Sequence, residues 1–310
     1  MKKLLALMVA LILALTFATA LAEEDEDEEN YETGDATLDL VRNEDEIGDS
    51  ELLVVSFGTS FNDSRRLTIG GIEAAIAEAL PEFSVRRGFT AQIIIDHVER
   101  RDGIHIDNVT EALERAIANG VKTLVVQPTH LMHGFEYDEL IETLGGYADA
   151  FEQVVVAEPL LTSDDDFARV AAILIDLTKD YDDGQTAIVY MGHGTEHEYN
   201  KVYAQMQDVL TGMGAENYYV GTVEAEPSLE DVMEAIEGKG YTRVVLRPMM
   251  VVAGDHANND MAGDEEDSWK TILTEAGYEV ECVLEGLGQV PEIQAIYVEH
   301  AQAAVAGLAQ

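Results

Sequence analysis

The sequence predicts an α/β protein with two similar domains, each a parallel four-stranded sheet flanked by helices. Short apolar runs of strand length alternate with helical patterns, which is typical of parallel sheets covered on both faces. The second half of the chain also repeats motifs of the first half. The single cysteine, Cys282, cannot form an internal disulfide. The fold must therefore depend on its core, and about 260 residues are enough for two such domains.

The first domain is predicted over residues 50–182. It begins with Leu52–Phe57, an apolar run typical of a strand buried in a parallel sheet, and a Gly-Thr-Ser turn follows. Strands are predicted at 52–57, 85–89, 122–127 and 154–157, and helices at 64–80, 91–101, 108–119, 137–151 and 164–180.

The polar, glycine-containing stretch 180–185 marks the boundary to a second domain, predicted over residues 183–286. Strands are predicted at 186–191, 217–223, 242–247 and 278–284, and helices at 200–213, 228–239 and 265–277. A last helix, 291–308, begins with Pro291, which is favoured at a helix start. Because no strand follows it, we expect the segment 287–310 to pack back on the first domain.

Residues 1–22 have the three parts of a signal peptide: Lys2-Lys3, an apolar core from Leu4 to about Phe17, and small residues at possible cleavage points. An uncleaved membrane anchor is the alternative, but the apolar run is short for a span. We therefore predict an exported protein, periplasmic or extracellular, with no stable membrane span after cleavage.

Seven consecutive acids, Glu23–Glu29, open a segment that we predict to be a disordered acidic leader over residues 23–49. The whole chain has a formal net charge of −43. Phosphate binding needs a basic surface, so nucleic acid is not an expected partner.

The repeat is clearest where Leu124–Glu136 aligns with Val244–His256 without a gap. Both stretches are apolar strands that end in proline and lead to a glycine six residues later. This alignment places Glu136 opposite His256, and a second one places Phe57 opposite His193. Two related half-chains would thus direct two loops each towards one cleft.

His193 lies in the stretch Met191–His197, on a turn between a predicted strand and a helix, with a glycine on each side. In open α/β sheets, ligands bind at this edge, and paired glycines allow close approach to the backbone. A histidine that merely caps the helix is the alternative. Two imidazoles and a carboxylate suit Co²⁺, Fe²⁺, Ni²⁺ or Zn²⁺ and leave coordination positions open.

Several motifs together resemble those of the anaerobic sirohydrochlorin cobaltochelatases, class II chelatases of cobalamin synthesis. They are Val54–Ser60, Gly134–Tyr137, Met191–Gly194, Val252–Met261 and Asp267–Lys270. The resemblance covers the chain from about residue 51 onwards. It implies a bilobal chelatase fold with a central tetrapyrrole cleft, and a catalytic, metal-binding trio of Glu136, His193 and His256. It also implies insertion of Co²⁺, or of Fe²⁺, into sirohydrochlorin without ATP, and a homo-oligomer.

Further residues on these loops are candidates for substrate binding: Ser56, Phe57, Gly58, Thr59, His133 and Gly194. For Ser56 and Thr59, turn and helix-capping roles remain open. His133 stands where the family has asparagine, either as an added ligand or as part of the cleft wall. Asp260 either orients His256 or caps a helix, and Trp269 is expected to pack in the core.

The predicted export departs from the family, whose role in cobalamin synthesis is cytoplasmic. A second hypothesis therefore stays open, in which the chain is an exported carrier that binds haem or metal on a chelatase fold and does not convert its ligand.

Overall fold

Two parallel sheets of four strands each form the frame of the computed structural model, which describes residues 33–308. The predicted signal peptide 1–22 and the first part of the predicted leader, 23–32, lie outside the described residues. From Asp35 onwards the chain forms one compact unit. Within the described residues, no helix combines the length and apolar content needed to span a membrane.

The first lobe contains a sheet of order β2-β1-β3-β4. Its strands are β1 (Ser50–Ser56), β2 (Ser84–Phe89), β3 (Thr123–Pro128) and β4 (Gln153–Val156). Every residue of β1 from Glu51 to Ser56 is buried, as expected for a central strand covered by helices on both faces.

The second lobe repeats this arrangement with a sheet of order β6-β5-β7-β8. Its strands are β5 (Thr186–Gly192), β6 (Tyr218–Thr222), β7 (Arg243–Pro248) and β8 (Glu279–Cys282). The predicted fold class, with two parallel four-stranded sheets flanked by helices, is confirmed.

Ten α-helices of the described residues connect and cover the strands. They are α1 (Asn62–Leu67), α2 (Ile69–Ala79), α3 (Gln92–Asp102), α4 (Val109–Ala118), α5 (Phe135–Tyr147), α6 (Asp164–Thr178), α7 (Lys201–Gly212), α8 (Leu229–Ile236), α9 (Trp269–Glu275) and α10 (Pro291–Leu308). Helix α10 packs against α2, β3 and β4 of the first lobe, and α6 packs against α7 of the second. A single core cluster accordingly contains buried residues of both lobes.

The helix predicted at 64–80 is interrupted at Thr68, which separates α1 from α2. The Thr68 hydroxyl donates to the Ser64 carbonyl at 2.5 Å, a side-chain bond that competes with regular helix geometry. The helix predicted from 265 begins only at Trp269, because the Ser268 side chain accepts from the Thr271 amide and so fixes the N-cap.

The described part of the predicted disordered leader, residues 33–49, is ordered against the first lobe, which corrects that part of the prediction. The Asp39 carboxylate accepts hydrogen bonds from Arg65 at 2.7 Å and from Arg87 at 2.6 Å. Glu73, fully buried, accepts from the other side of the Arg87 guanidinium at 2.7 Å. Burial alone would raise the pKa of Asp39, but the hydrogen bonds and charges of Arg87 and Arg65 outweigh it and hold that pKa below its ordinary value.

Candidate active site

The two histidines singled out by sequence follow the two central strands of the second lobe. His193 comes directly after β5, and His256 lies in the loop after β7. A side chain at Gly192 would overlap the Tyr203 ring, and Gly194 has φ +88° and lies against the backbone of Ala225. Glycine is therefore needed on both sides of His193, and the tight turn holds its imidazole at the carboxyl edge of the sheet.

His193 and His256 face each other with ring centroids 4.5 Å apart and ring planes at 85°. Glu224, two residues beyond β6, completes a group in which one ligand atom from each residue lies within 4.8 Å of the others. The side chains of His193 and Glu224 are about half exposed, at 43% and 53%, and that of His256 is 32% exposed. Three ligands on an open surface leave coordination positions free for an exchanging partner.

The hydrogen bonds donated by the two Nδ1 atoms indicate which ring nitrogen is free to bind metal. His193 Nδ1 lies 2.7 Å from the Gly194 carbonyl oxygen, which can only accept, so Nδ1 carries the proton. His256 Nδ1 donates to Asp260 at 2.6 Å. Both bonds leave Nε2 with its lone pair, the usual arrangement when a second group orients a metal-binding imidazole.

Asp260 thus orients His256, which decides between the two roles that the sequence left open for it. The hydrogen bond from His256 raises the pKa of that histidine against the opposing effect of burial, and the charge of Asp260 adds to the increase. Asp260 lies four residues after His256, in the π-helical turn formed by residues 257–261.

Glu136 lies in the first turn of α5 and, among residues 33–308, does not belong to the metal-capable group around His193. Its charge acts on Tyr203 of α7, which contacts the turn that carries His193. Burial raises the pKa of Tyr203 to about 12, and the charge of Glu136 contributes to this. The Tyr203 hydroxyl accepts a hydrogen bond from the amide of Gly194, next to His193.

The loop after β1 places its candidate substrate residues in two different environments. Ser56 and Thr59 are buried, and their hydroxyls accept from the Thr129 hydroxyl at 2.7 Å and from the Phe61 amide at 3.3 Å. Both hydroxyls therefore stabilise the loop itself. Gly58, with φ +107°, lies against the Phe89 ring, and Phe57 is 46% exposed.

His133 belongs to a group of rings, here called the ring cluster, that joins the loops after β3 and β5. Its members are His133, Phe135, Tyr137, His197 and Tyr199. The His133 ring lies 5.3 Å from that of Tyr199, and its Nε2 is 2.9 Å from Glu158. These contacts link His133 to the loop after β5, and within the described residues it is not part of the metal-capable group around His193.

His130 lies on the same loop, and both of its ring nitrogens are buried without a hydrogen-bond partner among the described residues. Burial lowers the pKa of His130 to about 4 against the opposing charge of Glu136, so the ring is neutral near pH 7. A second metal-capable group, His105, Asp107 and Glu111, uses its carboxylates elsewhere: Asp107 accepts from Arg115 at 2.6 Å, and Glu111 caps α4.

Comparison with known proteins decides the family. The sequence profile described as Cobalt chelatase (CbiK) matches residues 50–306. The chain belongs to this cobalt chelatase family. It is 35% identical over 251 residues to the sirohydrochlorin cobaltochelatase of Salmonella typhimurium, with 80% of this chain and 94% of the relative covered. It is 28% identical over 259 residues to the sirohydrochlorin cobaltochelatase CbiKC of Nitratidesulfovibrio vulgaris, with 83% and 91% covered.

Solved structures support the bilobal chelatase fold. SirB from Bacillus subtilis with Fe³⁺ superposes with a TM-score of 0.56 at 12% identity, covering 85% of this chain and 98% of SirB. CbiX, a terminal enzyme of sirohaem biosynthesis in denitrifying bacteria, superposes with a TM-score of 0.50 at 15% identity, covering 82% and 99%. At these identities the likeness concerns the fold.

Glu224 is the site residue that sequence reasoning missed. The strand register pairs Gly192 with Thr222, so the segment after β6 runs beside the segment after β5. The backbone amide of Glu224 donates to the His193 carbonyl at 2.9 Å, which brings the two side chains together. Its one sequence signal was an acid directly after the strand predicted at 217–223, at the edge where the histidines also lie.

Proposed function

We propose that this cobalt chelatase inserts Co²⁺ into sirohydrochlorin without ATP. One observation carries the proposal: His193, Glu224 and His256 form an open group of metal ligands at the cleft of a chain that belongs to the cobalt chelatase family. Imidazole nitrogen and carboxylate oxygen suit Co²⁺, and the substrates named for two relatives are consistent with this reaction.

In this proposal His193, Glu224 and His256 hold the ion, and Glu136 accepts protons. Each turnover moves one Co²⁺ into the macrocycle and releases two protons from pyrrole nitrogens. Glu136 is outside the metal-capable group, and its charge acts on Tyr203 beside the His193 turn, which supports it as the carboxylate that receives these protons in turn and passes them to solvent. The four nitrogens of the macrocycle then replace three protein ligands, and this gain in bonding drives the step.

Anaerobic absorbance with excess sirohydrochlorin and Co²⁺ tests the proposal on the mature protein. We expect many turnovers per protein, and loss of turnover in His193→Ala and in His256→Ala. A wild-type rate no higher than the rate of sirohydrochlorin with Co²⁺ in the absence of protein would contradict the assignment as an enzyme. A haem titration with fixed stoichiometry would then test the carrier hypothesis.

The identity of the ion is a finer part of the proposal, since Fe²⁺, Ni²⁺ and Zn²⁺ accept the same ligands. Competition under anaerobic conditions, with equal free concentrations of Co²⁺ and Fe²⁺, measures the preference directly. We expect the cobalt product to dominate, and dominance of the iron product would overturn the assignment.

Export and assembly are also proposals. The three-part pattern of residues 1–22 supports cleavage after a small residue, at Ala20 or Ala22. The mass of the secreted protein would show the cleavage site, and an intact N-terminus would contradict export with cleavage. Light scattering at several protein concentrations would test for the homo-oligomer.

A further inference from the structure

The charges of protein and substrate are of the same sign. The chain has 61 acidic and 18 basic residues, and sirohydrochlorin carries acetate and propionate carboxylates around its macrocycle. Like charges repel, so a cleft that takes up such a polyanion needs a cation close to its mouth.

Few basic side chains are available for this role. Beyond the predicted signal peptide, all lysines and arginines lie between residues 42 and 270, within the described part of the chain. Thirteen of these sixteen residues form an ion pair with a carboxylate. Arg100 is partnered as well, and its guanidinium contacts the His97 ring at 3.3 Å. Lys201 and Lys239 instead lie over tyrosine rings.

Lys201 is at the site. It is the first residue of α7, directly after the loop that carries His193, and its Nζ lies 4.5 Å from the ring centroid of Tyr199. Tyr199 belongs to the ring cluster and stacks on His197 at 5.6 Å, and His197 contacts Phe135 of the first lobe at 4.8 Å. Lys201 therefore lies where loops of both lobes meet.

Lys239 makes the same kind of contact in a different place. Its Nζ lies 5.6 Å from the ring centroid of Tyr219. It precedes β7, so it lies at the amino edge of the second sheet, opposite the edge that carries His193 and His256. Because both lysines are exposed and face a tyrosine, Lys239 is a matched control for Lys201.

We propose that Lys201 is a specificity-determining residue that binds a side-arm carboxylate of the tetrapyrrole. The contact with Tyr199 restricts the position of the ammonium group but uses none of its three N–H donors, which remain available to a carboxylate. The identity of the ligand rests on the proposed function. The role of Lys201 is to select a polycarboxylate macrocycle over one without acidic arms.

Equilibrium titration of metal-free sirohydrochlorin, followed by its absorbance, tests this role without requiring turnover. We expect Lys201→Gln to bind about fivefold more weakly than the wild type, the upper range for one exposed ion pair. Lys201→Arg should recover most of the affinity, and Lys239→Gln, which removes the same charge, should match the wild type. Added salt should reduce the difference between wild type and Lys201→Gln.

Equal sirohydrochlorin affinities of Lys201→Gln and wild type would overturn the inference. An equal loss of affinity in Lys239→Gln would also overturn it, because the effect would then come from net charge. A wild type that binds sirohydrochlorin with the expected Lys201 dependence but never inserts Co²⁺ would sink the proposed function and leave this inference standing. If the wild type turns over normally and Lys201→Gln binds sirohydrochlorin with unchanged affinity, only the inference about Lys201 is contradicted. A wild type that does not bind sirohydrochlorin would count against both.

Discussion

The two lobes have the same backbone at their carboxyl edges but different side chains there. In each lobe, two successive amides after the edge strand donate to two successive carbonyls at the end of the neighbouring central strand. These bonds run from Thr90 to Ser56 and Ala91 to Phe57 in the first lobe, and from Val223 to Gly192 and Glu224 to His193 in the second. With the repeat alignment, the first-lobe counterparts of His193, Glu224 and His256 are Phe57, Ala91 and Glu136.

Equivalent positions at the two sheet edges therefore carry side chains of different chemistry. The second lobe offers three metal ligands. The first lobe offers an exposed ring, a methyl group and one carboxylate. A fold positions a site without deciding its function, and at these three equivalent positions of the described chain only the second lobe carries three metal ligands.

The largest effect is expected at His193, the first of the three positions compared. His193→Ala should abolish both Co²⁺ binding and insertion, since loss of a direct ligand should exceed the roughly 10- to 100-fold cost of losing an outer hydrogen-bond partner. Phe57→Ala, the same truncation at the equivalent position of the first lobe, should leave Co²⁺ affinity within about twofold of the wild type. Calorimetric titration with Co²⁺ measures both. Equal losses in the two variants would show that the lobes share the metal.

The next prediction compares how much one ion pair in each lobe contributes to the free energy of unfolding. Asp39→Asn removes the carboxylate that pairs with the buried Arg65, and it leaves Arg87 with Glu73 alone. Breaking a buried pair in this way costs about 3–5 kcal/mol. Asp264→Ala in the second lobe removes an exposed partner of Lys270 and should cost less than about 1 kcal/mol. Urea denaturation gives the free energy of unfolding for both variants.

The effect of Asp39 should also depend on pH. Because its folded-state pKa lies below the ordinary value of about 4, its contribution is complete above that pH and is lost as the pH falls through the folded-state pKa. The difference between wild type and Asp39→Asn should therefore persist from pH 5 to 7, as ordinary buffers allow, and shrink below about pH 4. A difference that stays constant into strong acid would contradict the ion-pair explanation.

A third prediction separates the two glutamates by lobe. Glu136→Gln should lower kcat by about 100-fold, the low end for loss of a general base, with little change in Co²⁺ affinity. Glu224→Gln should mainly weaken Co²⁺ binding, because a neutral amide is a poorer ligand than a carboxylate. Steady-state kinetics beside metal titration distinguishes them. The reverse pattern would return Glu136 to the metal site implied by the family resemblance.

Sequence reasoning reached the sheets and the two histidines because both leave local patterns. Stretches of strand length were predicted at all eight strands, and the two repeat alignments directed the loops of His193, His256 and Glu136 towards one cleft. Glu224 and Asp39 left no such pattern. Each is one acid among 61, and its importance depends on the strand register or on the arginines that surround it in the folded chain. Burial and pairing of this kind are tertiary properties.

The smallest effect tests whether the second lobe also orients its ligands. Asp260, which bonds to His256 Nδ1, corresponds in the repeat to the buried Leu140, so the orienting carboxylate exists in one lobe only. Asp260→Ala should weaken Co²⁺ binding about tenfold, since His256 then loses the bond that fixes its tautomer and ring orientation. Asp255→Ala removes an equal charge from the same loop and keeps that bond, and we expect a change of about twofold at most. If both variants weaken binding equally, the loop attracts Co²⁺ through its net charge. If only Asp260→Ala does, the carboxylate acts by orienting His256, and the second lobe is specialised for metal beyond its three ligands.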